Sequence, residues 1–203
     1  MIVAGAGAGK TKTITHRIMH LIHEGIYPDN ILAITFTNKA AKEMRERVLN
    51  LIESKESKPN NSGFRSVPFV STFHSLGVRI IKENAELIGI SRHFTIYDKS
   101  DSKKVIKDAI VSLGIDPKEY VDKVMNIISG EKGRGVTYSE YAERAPYDYT
   151  SELTKKVWAK YEIQLKKEQA LDFDDLLLKT LGILKKHKDV LEKYQNNPKE
   201  TLK

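Results

Sequence analysis

The chain has 203 residues, of which 40% are hydrophobic and 30% charged, a composition typical of a globular protein with one substantial domain or one domain with an insertion. It has no cysteine, which excludes disulfides and thiolate metal sites, and no apolar run approaches the roughly 20 residues that a membrane span needs. The N-terminal residues lack the pattern of a signal peptide, so we expect a soluble, cytoplasmic protein with no membrane partner. The formal net charge of +7 favours a polyanionic partner, although many basic proteins bind no nucleic acid.

The first 25 residues have the pattern of a strand, a loop and a helix. Three apolar residues, Ile2 to Ala4, lead into a Gly/Ala-rich loop. Apolar residues then recur at helical spacing, at Ile14, Ile18, Leu21 and Ile22. Gly25 is the predicted end of this helix. A buried parallel strand usually has about 5 or 6 residues, so we expect part of this strand to precede Met1.

The loop has the spacing of a phosphate-binding loop, Ala-Gly-Ala-Gly-Ala-Gly-Lys-Thr, with Ala4 in place of the usual first Gly. The loop lies between a predicted strand and a predicted helix, so its backbone N–H groups and the helix N-terminus would converge on phosphate oxygens. This context favours a phosphate-binding loop over a Gly/Ala-rich turn that matches the motif by accident. Lys10 would neutralise the β and γ phosphates, and the Thr11 hydroxyl would ligate Mg²⁺. We therefore predict a site for ATP and Mg²⁺, with Lys10 and Thr11 as catalytic residues. Its residues are Ala4, Gly5, Ala6, Gly7, Ala8, Gly9, Lys10, Thr11 and Lys12.

Two further strand and helix units follow. A strand is predicted over residues 31–36, and Asn38 is predicted to cap the next helix. The apolar face of that helix comprises Ala41, Met44, Val48, Leu51 and Ile52. Residues 53–66 are predicted as a surface loop, residues 67–71 as a third strand, and residues 74–88 as a helix that ends at Gly89. This alternation predicts a parallel sheet wrapped by helices.

Polar and aromatic residues lie where the second and third strands end: Phe36, Thr37, Asn38 and Lys39, then Thr72, Phe73 and His74. The carboxyl ends of parallel strands meet at the edge where open α/β sheets bind ligands. Phe36 would stack on a base and the polar residues would hold phosphates. The structural alternative is that Phe36 lies in the core, Asn38 caps a helix and His74 supports a helix end. The residues alone leave both interpretations open.

From about residue 98 the pattern is helical almost throughout. The apolar stripes are Val105, Ala109 and Leu113, then Val121, Val124 and Ile128, and later Leu153, Val157, Tyr161 and Leu165. Residues 129–135 are predicted as a loop, and Thr137 with Glu140 fits a capping box. We predict residues 1–97 as a nucleotide-binding domain, residues 98–170 as a helical insertion, and residues 171–203 as a return to the first domain.

Three carboxylates follow the insertion, at Asp172, Asp174 and Asp175. Acidic residues in a first helical turn complement the helix dipole, so we interpret them as caps and not as a metal site. No continuous apolar run precedes Asp172, and residues 94–98 are short, alternating and followed by Lys99. Neither segment therefore fits the strand that carries the magnesium-binding Asp of many ATPases.

Four motifs in the same order resemble the UvrD/Rep/PcrA helicases of superfamily 1: residues 4–11, residues 31–48, residues 71–75, and Leu-Asp-Phe-Asp-Asp-Leu-Leu at 171–177. The resemblance implies an α/β fold, a RecA-like P-loop NTPase parallel sheet with an inserted all-helical subdomain. It implies ATP-dependent 3′ to 5′ translocation on single-stranded DNA and unwinding of duplex DNA, in repair or replication. By this analogy both polar clusters line the single-strand path. Residues 131–135 are a candidate duplex contact, with a solvated charged loop as the favoured alternative.

The family pattern also includes parts that this sequence lacks. They are an upstream Gln-containing motif for adenine, an Asp-Glu-x-Gln-Asp segment after Leu177, and a second RecA-like domain with arginine fingers. We therefore interpret the chain as a fragment and expect it to hydrolyse ATP feebly or not at all, and not to unwind DNA. Two alternatives stay open: part of a helicase–nuclease of the RecB/AddA group, and a non-catalytic nucleotide- or DNA-binding module.

Overall fold

The structure is a computed structural model that describes residues 9–55 and 67–196. This part of the chain divides into two compact units. The first comprises residues 9–55, 67–76 and 188–196, and the second comprises residues 77–187. The predicted strand at residues 2–4 and the loop residues Ala4, Gly5, Ala6, Gly7 and Ala8 lie outside the described residues.

The first unit is built on two short parallel strands. Its elements are α1 (Lys10–His23), a 3₁₀ turn (Pro28–Asn30), β1 (Leu32–Thr35), α2 (Asn38–Lys55), β2 (Phe69–Thr72), the start of α3 (Phe73–Glu83), and α9 (Lys188–Asn196). Strands β1 and β2 pair from Leu32 opposite Phe69 to Thr35 opposite Thr72. The two strands therefore end level with each other, so the chain leaves both at the same edge.

The core of the first unit follows the predicted apolar stripes. Its buried residues are Ile18, Ile31, Ala33, Met44, Val48 and Val70, with Leu21, Ile22 and Ile52 packed against them. Ile14, predicted in the same stripe, is 46% exposed. Helix α1 ends before Gly25, whose φ of 87° confirms the predicted stop, because glycine adopts left-handed backbone without a steric penalty.

The second unit is mostly helical and has its own parallel strand pair. After α3 come a 3₁₀ turn (Ala85–Ile88), β3 (Thr95–Tyr97), α4 (Lys99–Val111), a 3₁₀ turn (Pro117–Glu119), α5 (Val121–Gly133), α6 (Tyr138–Arg144), α7 (Tyr149–Lys167), β4 (Ala170–Asp172) and α8 (Phe173–Lys186). Strands β3 and β4 pair from Thr95 opposite Ala170 to Tyr97 opposite Asp172. The chain is thus a helix-rich α/β protein with two small parallel sheets in its described part.

The second core confirms most of the predicted helical stripes. Leu153, Val157, Tyr161 and Leu165 of α7 are all buried, as are Ala109 of α4 and the predicted face of α5. Thr137 and Glu140 form the predicted capping box at the start of α6. None of the described helices combines the length and the apolar character needed to cross a membrane.

Three predicted boundaries are wrong for local reasons. Helix α3 ends at Glu83, five residues early, because the Asn84 side chain donates to the Ile80 carbonyl at 2.8 Å and competes with the next helical turn. The third strand covers residues 69–72 and not 67–71. Helix α2 continues to Lys55, into the segment predicted as a loop.

Two predictions in the second unit also need correction. Helix α5 continues to Gly133, so residues 129–133 are helical and the turn is confined to Arg134 and Gly135, where φ is 81°. A strand does precede Asp172, since β4 ends at this residue. This strand has only three residues, too few to give an apolar run in the sequence. It is recognised as a strand because it pairs with β3.

Candidate nucleotide and nucleic-acid site

The first helix begins at the glycine of the predicted phosphate loop. Gly9 is the N-cap of α1 with φ of 76°, and its carbonyl accepts from the Thr13 amide at 2.9 Å. A Cβ at Gly9 would meet nothing within 4 Å, so the left-handed backbone, and not crowding, favours glycine here. Among the described residues no side chain caps this end, and the first turn of α1 contains no acidic residue. The positive end of the helix dipole is therefore not neutralised by an acidic residue of the first turn, which suits phosphate binding.

Lys10 and Thr11 occupy the first turn of this helix. Lys10 is exposed and Thr11 is half-buried. An ammonium and a hydroxyl beside a helix N-terminus suit a phosphate with its Mg²⁺, so these residues fit the predicted ligands. Within residues 9–55 and 67–196, no group of three or more His, Asp or Glu side chains is arranged to hold a metal ion. The predicted Mg²⁺ ligand here remains the Thr11 hydroxyl.

Lys12 lies on an open groove between α1 and α2. The groove has a volume of about 330 Å³ and is lined by Lys12, Thr15, His16, Arg47, Asn50 and Leu51. Both walls carry cationic side chains, and α1 has no Asp or Glu along its length. The surface around Lys12 thus suits an anionic ligand, in line with its predicted place in the nucleotide site.

The connection from β1 to α2 holds the first polar cluster. Thr37 caps α2, since its hydroxyl accepts from the Ala40 amide at 3.1 Å. Asn38 is therefore the first helical residue and not the cap that the sequence predicted. Phe36 is 90% exposed, so the structural alternative that put it in the core is wrong. Thr37, Asn38 and Lys39 are also exposed.

The connection from β2 to α3 holds the second cluster. Thr72 is buried, and its Oγ1 accepts from the Ser75 amide at 3.2 Å and lies 2.9 Å from the Ser75 hydroxyl. Its side chain is thus engaged in capping α3. Phe73, the next residue, is 48% exposed, and His74 is half-buried.

The register of the two strands brings the clusters together. Because Thr35 pairs with Thr72, the residues that follow them are neighbours, and the Phe36 and Phe73 ring centroids lie 5.8 Å apart with planes tilted by 52°. Two exposed aromatic rings side by side at the end of a sheet give flat surfaces on which nucleobases can stack. Arg45 links α2 to β2, since its Nη2 donates to the Val70 carbonyl at 2.6 Å.

Residues 131–135 do not form the exposed loop proposed as a duplex contact. Lys132 is 3% exposed and ion-paired with three carboxylates of the second unit. Its Nζ lies 2.8 Å from Asp172 Oδ2, 2.9 Å from Asp175 Oδ1 and 3.5 Å from Glu162 Oε1. A lysine buried in this way is not available to DNA. We call Lys132, Glu162, Asp172 and Asp175 the Lys132 cluster.

The Lys132 cluster also explains the acidic segment. Asp172 and Asp175 form a capping box at the start of α8, which confirms the predicted capping role. Burial by itself lowers the pKa of Lys132, but the carboxylates of Asp175, Asp172 and Glu162 outweigh it and hold that pKa above its ordinary value. Tyr161 donates to Asp172 at 2.9 Å, and burial followed by the charge of Asp172 raises the pKa of this phenol. The lysine is therefore a cation throughout the physiological range.

The comparisons with known proteins agree with the resemblance. The family described as the UvrD/REP helicase N-terminal domain matches residues 1–202, and the chain belongs to this family. The chain is also similar to the proteins named ATP-dependent DNA helicase PcrA of Staphylococcus aureus and of Staphylococcus epidermidis. Each is 43% identical over 198 residues, which are 97% of this chain and 26% of the relative. The chain thus spans about a quarter of the length of these curated relatives.

Two residues with long-range contacts, one in each unit, were not predicted from the sequence. Arg45 was not singled out, because an arginine beside the apolar face of a helix gives no sign in the sequence that it will donate to a neighbouring strand. Lys132 was assigned to a loop because Gly130, Gly133 and Gly135 surround it. Its partners Glu162 and Asp172 lie 30 and 40 residues further along the chain, so no local pattern points to them.

Proposed function

We propose that this chain is the N-terminal ATP- and DNA-binding part of an ATP-dependent DNA helicase. The parent enzyme would couple ATP hydrolysis to 3′ to 5′ translocation on single-stranded DNA and to unwinding of duplex DNA. Membership of the UvrD/REP family and the names of the PcrA relatives support this proposal. The observation that carries it is the exposed pair of Phe36 and Phe73, side by side where two parallel strands end.

The aromatic pair would bind DNA without reading its sequence. Every base has a flat face, so stacking on Phe36 and Phe73 is sequence-tolerant and contributes about 1–3 kcal/mol for each base. Thr37, Asn38 and Lys39, with the N-termini of α2 and α3, would hold phosphates close to the stacked bases. Thr72 would act indirectly by capping α3 behind Phe73, with His74 beside it. A motor that moves along any DNA needs this kind of contact.

The start of α1 would bind the nucleotide. The amides of the glycine-rich loop, Lys10 and Thr11 would hold the phosphates and Mg²⁺, and Lys12 would line the groove beside them. Bound Mg²⁺ supplies positive charge that stabilises the phosphates during transfer. Hydrolysis also needs a group that positions water and further positive charge on the γ-phosphate. We assign neither to a residue of this chain, so we expect residues 1–203 by themselves to bind ATP and to hydrolyse it feebly.

We also propose a RecA-like domain with an inserted helical subdomain. Residues 1–97 and 171–203 would belong to the RecA-like domain and residues 98–170 to the insertion. The parallel pairing of β3, which ends at Tyr97, with β4, which begins at Ala170, supports this division, because the chain returns from the insertion to the strand that it left. These limits differ from those of the two compact units.

The DNA contact can be tested with Phe36→Ala, Phe73→Ala and the double variant. We expect each single change to weaken binding of a fluorescent oligodeoxythymidylate about 5- to 150-fold, measured by anisotropy at one fixed salt concentration. Ile163→Ala is the matched control, since Ile163 is an exposed aliphatic side chain of the second unit. Wild-type affinity in the double variant would rule out the stacking site.

The nucleotide site has a separate test. Lys10→Ala should abolish binding of a fluorescent ATP analogue, whereas Lys42→Ala, which changes an exposed lysine of α2, should leave it intact. Unchanged binding in Lys10→Ala would favour the non-catalytic module, in which the loop serves structure. A nuclease domain in the same polypeptide would instead identify the parent as a helicase–nuclease of the RecB/AddA group.

A further inference from the structure

The Lys132 cluster buries more negative than positive charge. Three carboxylates, those of Glu162, Asp172 and Asp175, lie within 3.5 Å of the Lys132 ammonium, whose side chain is fully buried. Within the part of the chain that the structure describes, one further cation reaches the cluster: Lys179 of α8, 4.0 Å from Glu162 and partly exposed. Three carboxylates against two ammonium groups leave one negative charge without compensation. An unbalanced buried charge is unfavourable, and one proton would remove it.

The hydrogen bonds identify the carboxylate that is least stabilised as an anion. Asp172 Oδ2 accepts from Lys132 and Tyr161, and its Oδ1 accepts from the Asp175 amide at 2.7 Å. Glu162 accepts from the Trp158 indole at 2.9 Å and is partly exposed. Asp175 is 1% exposed, its Oδ2 accepts one long hydrogen bond, from the Asp172 amide at 3.4 Å, and its Oδ1 lies 2.9 Å from Lys132 Nζ without accepting a hydrogen bond. The proton is therefore best placed on Asp175.

We propose that Asp175 binds a proton in the native protein as the pH falls below neutral, and that this proton ties β4 and α8 more firmly to α5 and α7. The cluster joins these elements, because Lys132 belongs to α5, Glu162 to α7, and Asp172 and Asp175 to the start of α8. Protonation cancels the excess charge at the point where they meet. The second unit thus carries a built-in pH response.

The titration of Asp175 supports this geometry and fixes its sign. Burial raises the pKa of Asp175 to about 6, the charges of Asp172 and Glu162 add to the rise, and Lys132 and Lys179 oppose it. Between the unfolded value near 3.8 and the native value near 6, the native state holds more protons than the unfolded state. Stability from this group therefore increases as the pH falls through 6, the reverse of the usual effect of an ion-paired carboxylate.

The chain contains a natural reporter for this test. Trp158 is its single tryptophan, is fully buried, and donates its indole N–H to Glu162 of the cluster. Urea unfolding of the 203-residue chain, followed by Trp158 fluorescence at pH 7.5 and pH 5.0, reports on the second unit. The comparison uses Asp175→Asn and, as a matched control, Asp174→Asn, which changes a half-exposed carboxylate in the same helical turn.

The two variants should respond differently to pH. Relative to Asp175→Asn, the wild type and Asp174→Asn should gain about 0.5 M in urea midpoint on going from pH 7.5 to pH 5.0. Groups that all three proteins share contribute equally and cancel in this difference. An equal pH response in Asp175→Asn and the wild type would overturn the proposal.

A direct measurement on the unmutated chain covers the case in which Asp175→Asn does not fold. Carboxyl carbon resonances of chain labelled with ¹³C-aspartate, assigned through the backbone, give the titration of each Asp in the native state. We expect the Asp175 resonance to titrate near pH 6. Titration of Asp175 below pH 5 would overturn the proposal.

Discussion

Replacement of Lys132 by Met is the sharpest test of how the second unit is held together. Methionine keeps the length and much of the apolar contact of the lysine stem but removes the ammonium. Lys132 Nζ lies within 3 Å of both Asp172 and Asp175, which are 7% and 1% exposed. The variant therefore leaves two neighbouring carboxylates buried beside each other without that cation.

This geometry gives the expected loss of folding stability in Lys132→Met. Removing one partner of a buried ion pair costs about 3–5 kcal/mol, because the remaining charge is buried without compensation. A typical domain has only about 5–15 kcal/mol of stability, so Lys132→Met should remove about a fifth of it or more. Adding Asp175→Leu to this variant removes one of the stranded carboxylates. The double variant should be more stable than Lys132→Met by about 1 kcal/mol or more.

Urea unfolding at pH 7.5, followed by Trp158 fluorescence, measures both changes. Lys186→Met is the control, because Lys186 is an exposed lysine of α8, and it should shift stability by less than about 0.5 kcal/mol. The carboxylates raise the pKa of Lys132, so its contribution is fully present at pH 7.5 and is lost only as the pH rises through the raised value. A loss below about 1 kcal/mol in Lys132→Met, or a double variant no more stable than the single one, would refute this account.

Three further changes test other contacts by thermal or urea denaturation. Gly77→Ala should cost about 1–3 kcal/mol, because its Cβ would lie 2.7 Å from the Leu176 carbonyl oxygen, which belongs to a helix backbone and cannot easily move. Thr137→Ala should cost about 1 kcal/mol and speed amide hydrogen exchange in α6, because it removes the capping box with Glu140. Arg45→Met should cost about 1.5–3 kcal/mol by removing the charged hydrogen bond to β2. An unchanged unfolding midpoint would contradict the role given to the contact concerned.

Local pattern was enough to predict most of the helices and most of their buried faces. Apolar residues at helical spacing, such as Val157 and Leu165 of α7, identify the side that packs, because only one face of a helix can reach the core. The alternation of strands and helices likewise predicted a parallel sheet with both polar clusters on one edge, and the pairing of β1 with β2 agrees with this prediction. That part of the candidate site follows from the order of elements along the chain.

The sequence could not predict contacts between distant residues, or which of two neighbouring residues caps a helix. Lys132 is buried because acidic residues far along the chain neutralise it, and a pattern of glycines and charges cannot reveal that. Thr37 and Asn38 are both good capping residues. In the structure Thr37 is the cap of α2, and its carbonyl accepts from the buried Thr35 hydroxyl at 3.0 Å. The glycine-rich loop before Gly9 stays a prediction, since it lies outside the described residues.

The level ending of β1 and β2 limits how this edge can change. Adding one residue to either strand would carry the following aromatic ring about 3.3 Å forward and turn it to the opposite face of the sheet. Either movement would separate two rings that now lie 5.8 Å apart. Evolution or engineering can therefore exchange the side chains at this edge far more freely than it can alter the number of residues in the strands that deliver them.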